Sequence, residues 1–366
     1  MRYSIISFYR YHHIEKPELL RDELQGYCTK HDILGRILVG KEGINGACSG
    51  KKEVMEEFKS FLQSQFAGLT FREQPYNTHS YHKLVVRVRD EICAFGADVD
   101  LQNKGTYIEP TELKKMYENN EDFVIVDARN EYEYDVGKFK NAIKLPIETF
   151  REFPDEIMKH PEWKEKKVVL YCTGGIRCEK ASAFMKEQGF NNVNHVKGGI
   201  INYVNQFPDQ EWEGGLFVFD DRLVSDVGEN ITSCEHCGIS EKQFYNCHNL
   251  DCDKLFICCK ECREKFKTCC STECNDAPRQ RKEIQQPQEI IGKVENWYPK
   301  VGVALIKVNE EVKIGQTISI KGKTTDTSTR ITEMRDDDGN VINHVSSGLI
   351  TIPISEKVRK NDVVVV

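Results

Sequence analysis

Residues 168–183 of the 366-residue chain read VVLYCTGGIRCEKASA, and this stretch indicates the fold of the central part of the chain. An apolar run typical of a buried strand ends at Cys172, a loop with two glycines follows, and Arg177 leads into a helix-forming segment. A thiol at such a place faces backbone N–H groups and the positive end of a helix dipole, which stabilise a thiolate and lower its pKa. We therefore predict that Cys172 is a nucleophile.

Four residues separate Cys172 from Arg177 and form the predicted active-site loop: Thr173, Gly174, Gly175 and Ile176. A loop of this length can curl its amides around one anionic atom on the sulfur, while Arg177 braces the loop or a substrate oxyanion. Cysteine phosphatases need a longer cradle to enclose a tetrahedral phosphate, so that class is not expected. We predict Cys172 and Arg177 as the catalytic residues. Cys178 is either a packed residue or a resolving thiol for Cys172.

Strands alternate with helices across residues 108–220, which predicts a parallel α/β sheet with its site at the carboxyl ends of the strands. The predicted strands cover residues 123–127, 142–146, 168–171 and 193–196. Cys172 lies at such a carboxyl end.

Residues 1–95 have the order strand, helix, strand, strand, helix, strand, strand, which is typical of a ferredoxin-like, split βαβ domain. The segment GKEGINGACSG at residues 40–50 holds four glycines, and we predict a loop there whose backbone approaches a neighbour closely. On the last strand, Lys83, Arg87 and Arg89 are either a solvated face or a contact for an RNA backbone.

Ten of the fifteen cysteines lie between Cys234 and Cys274, in a segment with few large apolar side chains. Reduced thiols at this density favour a metal framework over disulfides. If the first and third of four pairs share one ion, and the second and fourth another, residues 221–276 form an interleaved two-zinc module. The pairs are Cys234 and Cys237, Cys247 and Cys252, Cys259 and Cys262, and Cys270 and Cys274.

The ligand set stays open at this point, because four further residues can substitute: Cys258, Cys269, His236 and His248. Metal-free packing, disulfides formed on oxidation and an iron–sulfur cluster are the alternatives to zinc. Residues 277–289 are polar and contain two prolines, which predicts a linker. Short strand-like runs with turn signals predict a small β-barrel over residues 290–366.

The net charge of -7 and an isoelectric point near 5.9 argue against a globally basic nucleic-acid coat, although a local basic patch is compatible with them. No window approaches about 18 apolar residues and no signal-peptide pattern opens the chain. We expect a cytoplasmic protein without a membrane partner.

The motif YCTGGIRCEKASA, together with VDARNEYE at residues 126–133 and GGI at residues 198–200, resembles the rhodanese homology domain. This resemblance implies that Cys172 forms a persulfide and that Arg177 is the loop arginine. It also implies mainly structural roles for three residues of the upstream motif: Asp127, Arg129 and Glu131.

Residues 1–274 as a whole resemble the bacterial tRNA uridine hydroxylases, through GKEGINGACSG, CTGGIRCEKA, WEGGLFVFDDR and the ECREK cysteine segment. The resemblance implies oxygen-dependent formation of 5-hydroxyuridine at the wobble position, with molecular oxygen as co-substrate and Cys172 essential. It implies tRNA as the partner, held in part by the first domain, and not DNA. The oligomeric state is not predicted.

Two other functions remain compatible with the sequence. The length of the active-site loop by itself favours a sulfurtransferase that passes persulfide sulfur from Cys172 to an acceptor. A catalytically inactive tRNA-binding scaffold is the other alternative, although the intact Cys172 and Arg177 argue against it. Residues 296–322 resemble the terminal β-barrel of U32-type peptidases, which suggests either an added RNA contact or a stabilising appendage.

Overall fold

The computed structural model describes residues 2–208, 210–225, 227–281, 290–322 and 325–365. The chain divides into two compact units, Met1–Glu283 and Ile284–Val366. Most of the predicted linker, residues 282–289, lies outside the described residues. In the described ranges no helix has the length and apolarity needed to cross a membrane.

The first unit opens with a five-stranded sheet that carries two helices on one face. Its elements are β1 (Tyr3–Tyr11), α1 (Pro17–Lys30), β2 (Leu34–Gly40), β3 (Gly43–Lys51), α2 (Lys52–Gln65), β4 (Phe71–Tyr76) and β5 (Leu84–Val88). The strand order is β4-β1-β3-β2-β5, and only β2 and β5 run parallel. Alternate side chains such as Ile6, Phe8 and Ile37 pack against the helices, which leaves the other sheet face for a different use.

The prediction of a loop at residues 40–50 was wrong. Most of this segment is β3, a strand paired on both sides, with β1 and with β2. Its glycines serve packing, because a Cβ at Gly46 would lie 2.6 Å from the ring of Phe8. Local sequence cannot distinguish a glycine-rich strand from a turn when the ring that fills the space beside the glycine belongs to another strand.

The second sheet is parallel, as predicted, with the strand order β6-β10-β9-β7. Its elements are β6 (Thr106–Ile108), α3 (Pro110–Glu118), β7 (Val124–Asp127), α4 (Glu131–Val136), β8 (Gly137–Phe139), α5 (Phe153–Ile157), β9 (Lys167–Tyr171), α6 (Ile176–Glu187), β10 (Asn192–Val196) and α7 (Gly199–Gln206). The strand predicted at 142–146 was wrong. Only a single bridge between Val126 and Ile143 occurs there, because Leu145 and Ile147 turn into the core.

Short ladders complete the first unit. Its remaining elements are β11 (Trp212–Gly214), β12 (Leu216–Phe217), β13 (Val224–Ser225), β14 (Phe244–Asn246), β15 (Leu255–Ile257), α8 (Lys260–Lys265) and α9 (Thr272–Asn275). β11 pairs with β8, β12 with β13, and β14 with β15. Buried cysteines and Phe256 form the small core of the cysteine-rich segment.

The second unit is built from antiparallel strands. They are β16 (Ile290–Tyr298), β17 (Val303–Val308), β18 (Val312–Lys313), β19 (Thr317–Lys321), β20 (Asp326–Arg330), β21 (His344–Val345), β22 (Gly348–Pro353) and β23 (Val363–Val365). Six of them form one sheet in the order β20-β19-β23-β16-β17-β22, and β18 pairs with β21. Its core is aliphatic, with Ile306, Ile350 and Val364 almost fully buried.

Candidate active site

Cys172 follows β9 at the carboxyl end of the parallel sheet and is fully buried. The N–H of Gly175 donates a hydrogen bond to the Cys172 sulfur at 3.1 Å. Gly175 has φ +98°, in the left-handed region, and directly precedes α6. The glycine therefore turns the loop back so that its amide points at the sulfur, in agreement with the strand, turn and helix predicted from the sequence.

A second glycine turn shapes the loop from the side of α7. Gly199 has φ +66°, and a Cβ there would lie 2.3 Å from the carbonyl oxygen of Cys172. The N–H groups of Ile200 and Ile201 donate to the carbonyl oxygens of Cys172 and Thr173 at 3.0 and 3.1 Å. These two carbonyls are thereby drawn toward α7, and the amides of the loop remain available to the sulfur.

Arg177 is held by a buried carboxylate. Its two terminal nitrogens donate to the two oxygens of Glu133 at 2.7 and 2.8 Å. The hydroxyl of Thr173 donates to the same carboxylate at 3.3 Å. Burial would raise the pKa of Glu133, but the charge of Arg177 outweighs burial and keeps that pKa below its usual value.

Sequence reasoning missed Glu133. The side chain belongs to a capping box with Asn130 at the start of α4, and the Asn130-to-Glu133 spacing was the available signal. That spacing identifies a helix start, but it does not reveal that the carboxylate also reaches the active-site loop.

Cys178 lies in the first turn of α6 and is fully buried. Burial alone would raise the pKa of Cys172. A hydrogen bond from the Cys178 thiol, the charge of Arg177 and the N–H groups of both residues outweigh burial and lower the pKa of Cys172 to about 6. Burial, together with the bond to Cys172, raises the pKa of Cys178 well above its usual value. Near neutral pH the pair is therefore one thiolate and one thiol.

The upstream motif supports the frame of the site. Asp127 and Arg129 form a fully buried ion pair at 2.6 Å, and Arg129 also donates to the carbonyl oxygen of Gly137. Glu131 is at the surface, 3.2 Å from Lys144. These contacts connect the end of β7 to α4 and β8.

A cavity of about 550 Å³ separates the active-site loop from the open face of the first sheet. The loop contributes Thr173, Gly174, Ile176 and Arg177 to its wall. The sheet contributes alternate residues of four strands: Ile5, Ser7 and Tyr9 of β1, Arg36 and Leu38 of β2, Asn45 and Ala47 of β3, and Arg72 and Gln74 of β4. The sheet face without helices is therefore one side of the site.

Direct contacts fix the sheet to the loop. The hydroxyl of Tyr9 donates to Glu179 of α6 at 3.0 Å, and Nε of Arg72 donates to the carbonyl oxygen of Gly198 at 3.0 Å. The Tyr9 hydroxyl also lies 3.0 Å from where a Cβ of Gly175 would be. Residues distant in sequence thus complete the surroundings of Cys172.

Lys83, Arg87 and Arg89 are exposed, and they lie at or beside β5. Arg87 is in register with Leu38, so it projects from the same sheet face as the cavity, but none of the three residues lines the cavity. Besides Arg177, which was predicted, four arginines line the cavity and were missed by sequence reasoning: Arg36, Arg72, Arg151 and Arg222.

Three family models match the chain: a UPF0176 acylphosphatase like domain at residues 3–92, a rhodanese-like domain at 109–206, and a rhodanese C-terminal segment at 213–275. A tRNA uridine(34) hydroxylase of Cytophaga hutchinsonii is 39% identical over 287 residues, which cover 76% of this chain and 92% of that protein. One of Bacillus cereus is 39% identical over 297 residues, which cover 77% and 92%. The chain belongs to the tRNA uridine(34) hydroxylase family.

The last of the three family-model matches to this hydroxylase-family chain ends at residue 275. A solved structure, the C-terminal domain of a putative U32 peptidase of Geobacillus thermoleovorans, covers 22% of this chain and 100% of its own, with 16% identity and a TM-score of 0.21.

The cysteine segment of this family member contains two groups of four sulfurs, in each of which all sulfurs lie within 4.8 Å of one another. The groups are Cys234, Cys237, Cys259 and Cys262, and Cys247, Cys252, Cys270 and Cys274. The first group joins the first and third cysteine pairs of the sequence, and the second group joins the second and fourth. This is the interleaved arrangement described from the cysteine spacing. Cys258, Cys269 and His236 belong to neither group, and the ring of His236 stacks on Phe266 instead.

Replacing Cys178 by alanine removes the hydrogen bond that its thiol donates to the Cys172 thiolate. Hydrogen bonds to charged groups contribute about 1.5–3 kcal/mol. We therefore expect the pKa of Cys172 to rise by about one to two units. The measurement is the pH dependence of iodoacetamide labelling at Cys172, followed by peptide mass spectrometry.

Cys178→Ser is the matched control, because a serine hydroxyl at this position retains a donor. Its labelling midpoint should stay within a few tenths of a unit of the wild-type value. A wild-type midpoint in Cys178→Ala would show that the Cys178 thiol does not stabilise the thiolate.

Proposed function

We propose that this protein hydroxylates the wobble uridine of tRNA to 5-hydroxyuridine, with Cys172 as the reacting thiol. One observation carries the proposal: in a member of the tRNA uridine(34) hydroxylase family, the loop that stabilises the Cys172 thiolate forms one wall of a cavity of about 550 Å³. This volume is within the range of small-molecule sites.

The cavity suits an extruded base. Enzymes that act on a nucleobase take it out of the stack and hold it between aromatic or apolar side chains. Tyr9, Tyr81, Phe150 and Phe219 line the cavity, and Phe219 is half exposed at 55%. An aromatic side chain at the rim offers a stacking partner to a base that leaves the anticodon loop.

Cys172 and Cys178 can supply the electrons that the reaction needs. With molecular oxygen as co-substrate, one oxygen atom enters the uracil ring at C5 and the other leaves as water, which requires two electrons beyond those from the ring. Oxidation of two thiols to one disulfide releases two electrons and two protons. Uridine, oxygen and two thiols then yield 5-hydroxyuridine, a disulfide and water, and an external thiol resets the pair by exchange.

Sulfur transfer is the second candidate function. It is supported by the rhodanese-like domain and by the amide that points at the Cys172 sulfur, an arrangement that also suits a persulfide. The buried Arg177–Glu133 pair and the lowered pKa of Cys172 argue against an inactive scaffold, because neither would be needed for tRNA binding alone.

Nucleoside analysis of bulk tRNA tests the proposal. Cells whose endogenous gene is replaced by the Cys172→Ala variant should lose 5-hydroxyuridine and its derivatives, because the reacting thiol is missing. Cys28→Ala removes a buried cysteine from α1, outside the site, and should leave these nucleosides at the wild-type level. Loss of a thiolated base instead would establish sulfur transfer. Unchanged nucleosides would leave an inactive tRNA-binding scaffold as the remaining function.

We propose further that each group of four cysteines holds one zinc ion. Four thiolates are a typical donor set for structural zinc, and two of the pairs have the C-x2-C spacing of zinc knuckles. A bound ion would hold together a segment whose own core is small.

Metal analysis of protein purified without chelator should give about two zinc equivalents per chain. Cys262→Ser should remove about one equivalent, because the first group loses a ligand. Cys269→Ser, a buried cysteine outside both groups, should retain both ions. Less than about one equivalent in the wild-type protein would contradict the two-site arrangement.

The finer architecture is part of the same proposal. We assign residues 1–95 to a ferredoxin-like domain, 108–220 to the rhodanese domain, 221–276 to the zinc module and 290–366 to a small β-barrel after a linker at 277–289. The β4-β1-β3-β2 order with two helices on one face supports the first assignment. A tRNA substrate implies a cytoplasmic protein.

A further inference from the structure

One row of side chains crosses the open face of the first sheet in register. Arg36 of β2 is opposite Ala47 of β3, Ala47 is opposite Ser7 of β1, and Ser7 is opposite Arg72 of β4. All four residues line the cavity. Because neighbouring strands are about 4.8 Å apart, the Cα atoms of the two arginines are separated by about 14 Å. Two cations thus flank two small side chains.

The charges of these two arginines are not neutralised. Arg36 is exposed, and in the part of the chain that the structure describes its guanidinium has neither an ion pair nor a hydrogen bond. Arg72 donates to the carbonyl oxygen of Gly198, and its guanidinium lies 5.0 Å from the centre of the Tyr9 ring. Neither contact supplies a negative charge.

The other arginines of the cavity have carboxylate partners. Arg222 is paired with Asp220 at 2.6 Å, and Arg177 with Glu133 at 2.7 Å. Arg151 lies 3.7 Å from Glu91. The uncompensated positive charge of the cavity is therefore concentrated at the two ends of the row.

The side chains between the two arginines are small, which leaves space above this part of the sheet. Ser7 and Ala47 occupy the two central strands, and the next row on the same face carries the larger Tyr9 and Asn45. The Arg72 side chain reaches the active-site loop, because its Cδ lies 3.9 Å from where a Cβ of Gly174 would be. A ligand bound on this row of the sheet therefore lies directly beneath the loop that holds Cys172.

Resting on the proposed function, we propose that this row is the phosphate-binding floor for the extruded uridine nucleotide. Arg36 and Arg72 bind the two phosphates that flank the nucleotide, since arginine pairs with phosphate oxygens through two parallel hydrogen bonds. Ser7 and Ala47 leave space for the ribose, and the base faces the Cys172 loop. The ligand class is a uridine nucleotide with both a 5′ and a 3′ phosphate, as in a single RNA strand.

The test is equilibrium titration of the full-length protein with uridine 3′,5′-bisphosphate and with uridine, at several salt concentrations. The bisphosphate should bind at least about tenfold more tightly than uridine, because only it reaches the arginines. Arg36→Gln should weaken bisphosphate binding about tenfold and leave uridine binding unchanged. The slope of log K against log salt should become shallower, because salt then screens one fewer attraction between an arginine and a phosphate.

Two variants separate charge from shape. Arg36→Lys retains the charge and should recover the wild-type salt slope. Ala47→Leu retains both charges but fills the floor, and it should weaken the binding of both probes by a similar factor. Arg21→Gln, on α1 and thus on the opposite sheet face, should change nothing.

Equal binding of the bisphosphate by the wild type and Arg36→Gln, or an unchanged salt slope, would overturn the proposal that this row binds the phosphates. That result leaves the proposed function intact, because 5-hydroxyuridine formation in cells is a separate readout. Conversely, tRNA that lacks 5-hydroxyuridine in cells with the wild-type protein would overturn the proposed function even if the titration behaves as expected.

Discussion

The buried ion pair between Arg177 and Glu133 is the contact on which the site depends. It joins the start of α4 to the start of α6, and it keeps a positive charge beside the Cys172 sulfur. Removing one partner of such a pair strands the other charge in the interior and costs about 3–5 kcal/mol. The pair therefore contributes both to the conformation of the loop and to the ionisation of its thiol.

The site is composite, since the thiol and the floor of the cavity come from different sheets. Besides the contacts of Tyr9 and Arg72, buried Lys180 of α6 forms ion pairs with Glu42 and Glu91 at 3.0 and 2.9 Å. The first sheet is thus fastened to the helix that follows the active-site loop. A rhodanese-like domain by itself would offer the thiolate but no face on which to place a nucleotide.

The sequence predicted the features that depend on local order. The apolar run before Cys172, the glycine pair and Arg177 indicated a strand, a turn and a helix, and the cysteine spacing indicated which pairs come together. The role of Glu133 could not be predicted, because its partner, Arg177, lies 44 residues away in the sequence. The row from Arg36 to Arg72 could not be predicted because it depends on strand register. Gly46 of β3 was misread as part of a loop because the Phe8 ring, from another strand, occupies the space beside it.

In the proposed complex with tRNA, the wobble uridine enters the cavity between the first sheet and the Cys172 loop. An anticodon stem-loop with 5-iodouridine at the wobble position, irradiated in complex with the full-length protein, tests it by identifying the crosslinked peptide. We expect crosslinks to aromatic residues of the cavity, Tyr9, Tyr81 or Phe219. Crosslinks confined to residues outside the cavity, such as those around Arg87 and Arg89 or in the second unit, would contradict it.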